Sequence, residues 1–171
     1  MDLLNEFSDM VMRLKKPGEV ILAQMTPEKM DLLHMAIGVA GELVELDKAV
    51  VNEDVPNILE EVGDVEFYME GVRQNTGIER TNVFQGLHDE DEDCVLDVVK
   101  KYCVYNKTLN LAKLHDAMVR IDHSLINIRH TYGITREECL EHNMQKLEKG
   151  EKSRYKGGYS DAAAQARADK Q

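Results

Sequence analysis

Residues 36–73 read AIGVAGELVELDKAVVNEDVPNILEEVGDVEFYMEGVR, and the stretch contains two acidic pairs, Glu42 with Glu45 and Glu61 with Asp64. Each pair is spaced i, i+3 inside an apolar pattern of helical period. Both carboxylates of a pair therefore leave the same face of one helix, roughly 5–6 Å apart at Cβ. The segment Asn52-Glu53-Asp54-Val55-Pro56-Asn57 reads as a short turn between a helix ending near Val51 and another running from near Pro56 to Asn75. Short connections favour antiparallel neighbours, so the two helices are expected to form a hairpin. Glu45 lies about seven residues before the turn and Glu61 about five after it; at ~1.5 Å per residue both sit roughly 8–10 Å from it. The acid pairs should then face each other, with Ile58, Val62, Val65, Met69 and Val72 as the core stripe of the second helix.

Outward from the hairpin, helical period continues on both sides. Leu3, Leu4, Phe7, Met10, Val11 and Leu14 make residues 1–15 an amphipathic helix that Pro17-Gly18 ends. Thr26-Pro27 opens the first acidic helix, threonine as N-cap and proline at the first helical position. Gly38, Ala40 and Gly41 leave almost no side chain just before Glu42, and helix-interior glycine costs about 1 kcal/mol against alanine. Close approach by another backbone or a ligand is the expectation. Residues 76–93 read as a loop ending in the acidic run Asp89-Glu90-Asp91-Glu92-Asp93, which lacks the glycine and closing glutamate of an EF-hand. Cys94 to about Tyr105 is helical in pattern, as are residues 111–131 through Leu114, Met118, Ile121, Leu125 and Ile128. Thr135-Arg136-Glu137-Glu138 is a capping box that opens a helix to about Lys149. Residues 114–129 echo 58–73 faintly, with Ala117 and Arg120 in place of Glu61 and Asp64, a match that shared helical period alone produces often. The fold class is all-α, an antiparallel helical bundle: residues 1–150 form one domain and residues 151–171 a basic, alanine-rich tail.

Composition narrows the function classes. A chain of 171 residues, 43% hydrophobic, buries one core. No apolar run approaches the ~20 residues of a membrane span, and the start Met1-Asp2-Leu3-Leu4 lacks the basic and apolar blocks of a signal peptide. A cytoplasmic protein without a membrane partner is the expectation. Cys94, Cys103 and Cys139 have neither the even number of a disulfide framework nor C-x-x-C spacing. A net charge of −11 without a basic aromatic stripe argues against nucleic acid.

Two carboxylates ~6 Å apart repel by roughly 3 kcal/mol at an effective dielectric near 20, so four without partners destabilise the fold or stay partly protonated. Lys48, three residues beyond Glu45, cannot neutralise four acids. Hard divalent cations can, and an all-oxygen donor set suits Mg²⁺ or Mn²⁺ beside substrate phosphates. The competing reading is a solvated acidic face, against which Leu43, Leu46, Ile58 and Leu59 bracket the acids closely. Near the end of the chain, Asn143, Lys146, Lys149, Arg154 and Lys156 are interleaved with glycines. That arm can close over a phosphate-bearing ligand, although lysines complementing a helix dipole are the plainer reading of the same residues.

Glu42-x-x-Glu45, fifteen intervening residues, then Glu61-x-x-Asp64 resembles the E-x-x-E…E-x-x-D signature of MazG-like nucleotide pyrophosphohydrolases, in the all-α NTP pyrophosphatase superfamily. Met25-Thr26-Pro27-Glu28 through Gly38 resembles the lead into the first acidic helix of small, sometimes phage-encoded members. Asn143-x-x-Lys146, Arg154-Tyr155, Tyr159-Ser160-Asp161 and Arg167-x-Asp169-Lys170 resemble their carboxy-terminal pattern. Many members carry a further glutamate where this chain has Gly41. The resemblance implies Mg²⁺-dependent hydrolysis of a nucleoside triphosphate between its α and β phosphates, with Glu42, Glu45, Glu61 and Asp64 as metal ligands. Glu45 and Glu61 would be the catalytic pair, one glutamate orienting the water. Lys48, Asn143, Lys146 and Arg154 would bind the nucleotide substrate, in a homodimer or homotetramer. Host cytoplasm is the implied location for a phage-encoded member. His34, two turns before Glu42, reads as a packed or interfacial histidine. Cleavage of an alarmone such as guanosine tetraphosphate is compatible with the same acids. An oxidative di-metal carboxylate bundle is disfavoured, because no histidine follows these acids at i+3. A non-catalytic acidic interaction protein is the remaining alternative.

Overall fold

The computed structural model describes residues 2–80 and 93–166, all of whose regular elements are helices. In chain order these are α1 (Leu3–Leu14), α2 (Gly18–Leu22), α3 (Pro27–Val51), α4 (Val55–Thr76), α5 (Val95–Cys103), α6 (Leu111–Tyr132) and α7 (Arg136–Met144). A π-helical segment (Gln145–Lys149) extends α7, and α8 (Asp161–Ala166) follows. The acidic run at 89–92 and the final motif residues Arg167, Asp169 and Lys170 lie outside the described residues. No helix among the described residues is long and apolar enough to cross a membrane.

The α3–α4 hairpin is the centre of the bundle. Thr26 caps α3 by accepting from the Lys29 backbone N–H, and Asp54 caps α4 by accepting from Asn57. The turn between them is tighter than the sequence suggests, because Pro56 tolerates the first helical turn and α4 already begins at Val55. Ile58, Val62, Val65, Met69 and Val72 are all fully buried, against Leu32, Ala36, Val39 and Leu46 of α3. Val95, Val98, Val99 and Cys103 of α5 and Leu114, Met118 and Leu125 of α6 complete this core, while Ile121 and Ile128 sit at its margin. Gly77, in the left-handed conformation at φ 70°, ends α4 as glycine does without a Cβ penalty.

Two features depart from the sequence reading. Pro17 ends α1 but also serves as N-cap of a short helix, α2, that begins at Gly18. More consequentially, α1 buries none of its residues: Leu3, Leu4, Phe7 and Leu14 face outward. Its apolar period is real, but none of its residues joins the core, which α3 to α7 supply.

A buried ion network holds the outer helices to α4. Glu66, only 2% exposed, accepts from Arg80 (2.6 Å), Arg129 (3.3 Å) and Arg136 (2.8 Å). Arg73 makes a two-pronged pair with Asp122 of α6 at 2.9 and 2.7 Å. Burial pushes the Glu66 carboxyl up, but the bond from Arg136 and the charge of Arg80 outweigh it and hold the group below its usual range. Removing one member leaves uncompensated buried charge. Glu66→Ala is therefore expected to cost about 3–5 kcal/mol in unfolding free energy, read from urea denaturation at neutral pH. A loss under about 1 kcal/mol would contradict the network's role.

Candidate metal centre

The hairpin brings Glu42 and Glu45 of α3 opposite Glu61 of α4. One carboxylate oxygen from each lies within 4.8 Å of the others. The three environments differ: Glu61 is 5% exposed, Glu42 half-buried and Glu45 exposed. Oε2 of Glu61 is buried without a hydrogen-bond partner among the described residues. Burial first, then the charge of Asp64 and the contact with Glu42, push the Glu61 carboxyl up to about 7. Glu42 is also raised, chiefly by burial and by Asp64, while its hydrogen bond with Glu61 works the other way. One proton shared between Glu61 and Glu42 relieves the repulsion near neutral pH.

Asp64, the fourth predicted ligand, stands beside this trio but is differently engaged. It accepts from Asn143 Nδ2 at 2.6 Å and forms a close ion pair with Lys146, whose ammonium also reaches Glu60 at 3.1 Å. Two of the residues expected to meet phosphate thus rest on the acidic helix. Gly63 makes this possible: a Cβ there would fall 2.6 Å from the Cys139 carbonyl and 3.0 Å from Asn143 Cβ. Only a glycine lets α7 approach α4 this closely one residue before Asp64. Gly63→Ala should push α7 outward and destabilise the protein by about 1–3 kcal/mol. Thermal unfolding measures this, and an unchanged midpoint would contradict the packing.

Arg154 follows the π-helical segment, its backbone N–H donating to the Lys146 carbonyl at 3.0 Å. The tail is folded back here, with Ser153 Oγ donating to the Glu148 carbonyl at 2.9 Å and Tyr155 N–H to Leu147 at 2.8 Å. Gly150 permits the reversal, since a Cβ there would meet the Gln145 carbonyl oxygen at 2.3 Å. Lys48 is exposed in the last turn of α3, and the lysine brought onto the acids is Lys146. His34 is exposed and edge-on to Tyr68, ring centroids 6.2 Å apart.

Sequence reasoning passed over Tyr68 and Glu60. Tyr68 stands at i+4 from Asp64, on the face of α4 that carries the acids. Burial and the charges of Glu42 and Asp64 raise its hydroxyl, and Arg154 opposes them, so Tyr68 feels both the acids and the basic segment. Its ring fills the gap at Gly38, where a Cβ would lie 2.1 Å from it. Neither the backbone nor the ligand expected at Gly38 occupies that space; the side-chain ring of Tyr68 does. Glu60 was legible as the neighbour of Glu61 at i−4 from Asp64. A separate cavity of about 510 Å³ between α3, α4 and α7 shares Asn143 with the centre but none of the four acids. Its walls include Met35, Phe67, Gly71, Leu140 and Arg136.

The donor set fits a hard divalent cation: carboxylate oxygens only, one of them buried without a partner, from two helices fixed by their core. Without a cation, the raised Glu61 carboxyl has a definite consequence for stability. The folded protein binds this proton more tightly than the unfolded chain, so the contribution is fully present below about pH 4.5 and lost as pH rises to about 7. Metal-free protein should therefore be less stable to urea at pH 8 than at pH 5.5. Glu61→Gln should flatten this part of the profile, and an unaltered profile in the variant would contradict the assignment.

No model of a known protein family matches the chain, and neither a curated protein nor a solved structure matches it.

Proposed function

We propose that this protein is a divalent-metal-dependent nucleotide pyrophosphohydrolase that cleaves nucleoside or deoxynucleoside triphosphates between the α and β phosphates. The observation that carries this reading is the convergence of Glu42, Glu45 and Glu61 within 4.8 Å, while Lys146 spends its charge on Asp64 and Glu60. Such a cluster is poorly suited to a purely structural role, because its own repulsion opposes folding. The order and spacing of the acids, with Asn143, Lys146 and Arg154 following, support the MazG-like reading.

Glu42, Glu45 and Glu61, with Asp64 beside them, would hold Mg²⁺ or Mn²⁺. A cation there supplies neutralisation of the triphosphate charge and a bound water of lowered pKa. Glu45, the solvent-facing member, or Glu61, whose carboxyl is raised to about 7 without a cation, would orient that water. Asn143 and Lys146, which hold Asp64 in the structure, would be the groups that meet a phosphate beside it. Tyr68, whose hydroxyl feels Glu42, Asp64 and Arg154, would join them together with Arg154, and Lys48, one turn beyond Glu45, would extend the binding surface. The glutamates would bind cation and water while the basic side chains orient the leaving pyrophosphate.

The test is a panel of ribo- and deoxynucleoside triphosphates, with guanosine tetraphosphate included, incubated with Mg²⁺ or Mn²⁺ and assayed for pyrophosphate. Release from at least one nucleotide is expected. Glu61→Ala should reduce it by more than the ~10–100-fold typical of an outer-shell residue, with helical circular dichroism retained. Failure of every nucleotide with both ions would leave the acids as a docking surface for a basic partner.

A further inference from the structure

Two contacts fix the register of the α3–α4 hairpin. The Tyr68 ring lies against Gly38, and a Cβ at Gly71 would fall 2.2 Å from Met35 Sδ. Both helices advance by the same number of residues between these contacts, so one antiparallel register holds through them and sets Glu42 level with Asp64. Asp31, Met35 and Glu42 lie within about 60° of one another around α3, as do Asp64, Phe67 and Gly71 around α4. The cavity of about 510 Å³ at Met35 and Gly71 therefore continues the face that carries the acids. Seven residues separate this level from Glu42 and Asp64, or about 10 Å along the helices.

The cavity has the size of a small-molecule site, and its walls select what fits. Met35, Phe67 and Leu140 are apolar, and half-exposed Phe67 leaves an aromatic face for a planar ring. Arg136, the one basic side chain in the lining among the described residues, is engaged by Glu66 at 2.8 Å. This end of the groove is thus unsuited to phosphate. The Asp31 carboxylate has no hydrogen bond or ion pair among the described residues, and Glu70 has Arg73 only at 4.0 Å. Ionised carboxylates accept hydrogen bonds and donate none, so the occupant must bring the donors. Among the common nucleobases, guanine sets two donors side by side, N1–H and the N2 amino group. Adenine and cytosine place a ring acceptor beside their amino group, and uracil and thymine flank N3–H with carbonyls.

We propose that this cavity reads a guanine base, with the Asp31 carboxylate accepting from N1–H and N2–H while the sugar passes Tyr68 and the phosphates reach Glu42 and Asp64. The inference rests on the nucleotide reading of the acids and names the base that the same groove takes.

Guanosine, which carries no phosphate, tests the cavity apart from the metal centre. Calorimetry of the metal-free full chain should show saturable guanosine binding, with adenosine and uridine weaker by at least about tenfold. In the Mg²⁺ assay, GTP or dGTP should give the highest kcat/KM of the panel. Asp31→Asn should weaken guanosine by at least about tenfold and strengthen xanthosine, whose C2 carbonyl accepts from the new amide where guanine has a donor. Misfolding cannot produce that exchange. Guanosine binding through Asp31 in a protein that hydrolyses no nucleotide would support the cavity's assignment and remove the hydrolase reading. Absent guanosine binding, binding that Asp31→Asn leaves unaltered, or hydrolysis of all bases alike would overturn the assignment, and the last of these would leave the hydrolase reading standing.

Discussion

Mutual repulsion among carboxylates held at short range is the constraint around which this bundle is arranged. Glu42, Glu45 and Glu61 cannot separate, because the helices that carry them share a continuous core from Ile58 to Val72. Packing fixes the level of each acid along its helix, and burial then decides how each responds. Glu61, nearly enclosed, keeps its proton to about pH 7, while Glu45 faces solvent. A gradient of environments across one cluster is the usual means by which identical side chains take different roles.

The groups around the acids are placed by missing side chains as much as by present ones. Gly63 admits α7 against α4 and so delivers Asn143 and Lys146 to Asp64. Gly38 admits the Tyr68 ring between the hairpin helices. On another face of α4, Glu66 gathers Arg129 of α6, Arg136 of α7 and Arg80, so the helix that presents the acids is braced where it meets its neighbours.

Much of this could be read from the chain before any coordinates. The strict period of Ile58, Val62, Val65, Met69 and Val72 predicted the buried stripe, and counting residues from the turn put Glu45 level with Glu61. Both follow from local geometry. What escaped depends on partners far away in sequence: Glu66 meets Arg129 and Arg136 at separations of 63 and 70 residues. The period of α1 showed an apolar face but could not say whether that face would join the core, and it does not. Gly38, Ala40 and Gly41 suggested another backbone or a ligand, whereas a side-chain ring fills the space at Gly38 and, among the described residues, nothing approaches within 4 Å at Gly41; a glycine in the sequence does not say what stands against it.

The claim on which the account stands is that Glu42, Glu45 and Glu61 together bind a divalent cation. Titration of metal-free protein with Mn²⁺, by calorimetry in two buffers of different ionisation enthalpy, tests it most directly. Saturable binding is predicted, with a proton released near pH 6.5 as the cation displaces the one held by Glu61. Both signals should be lost in Glu61→Gln. Mn²⁺ binding that is absent, or that is indifferent to all three glutamates, would contradict the account.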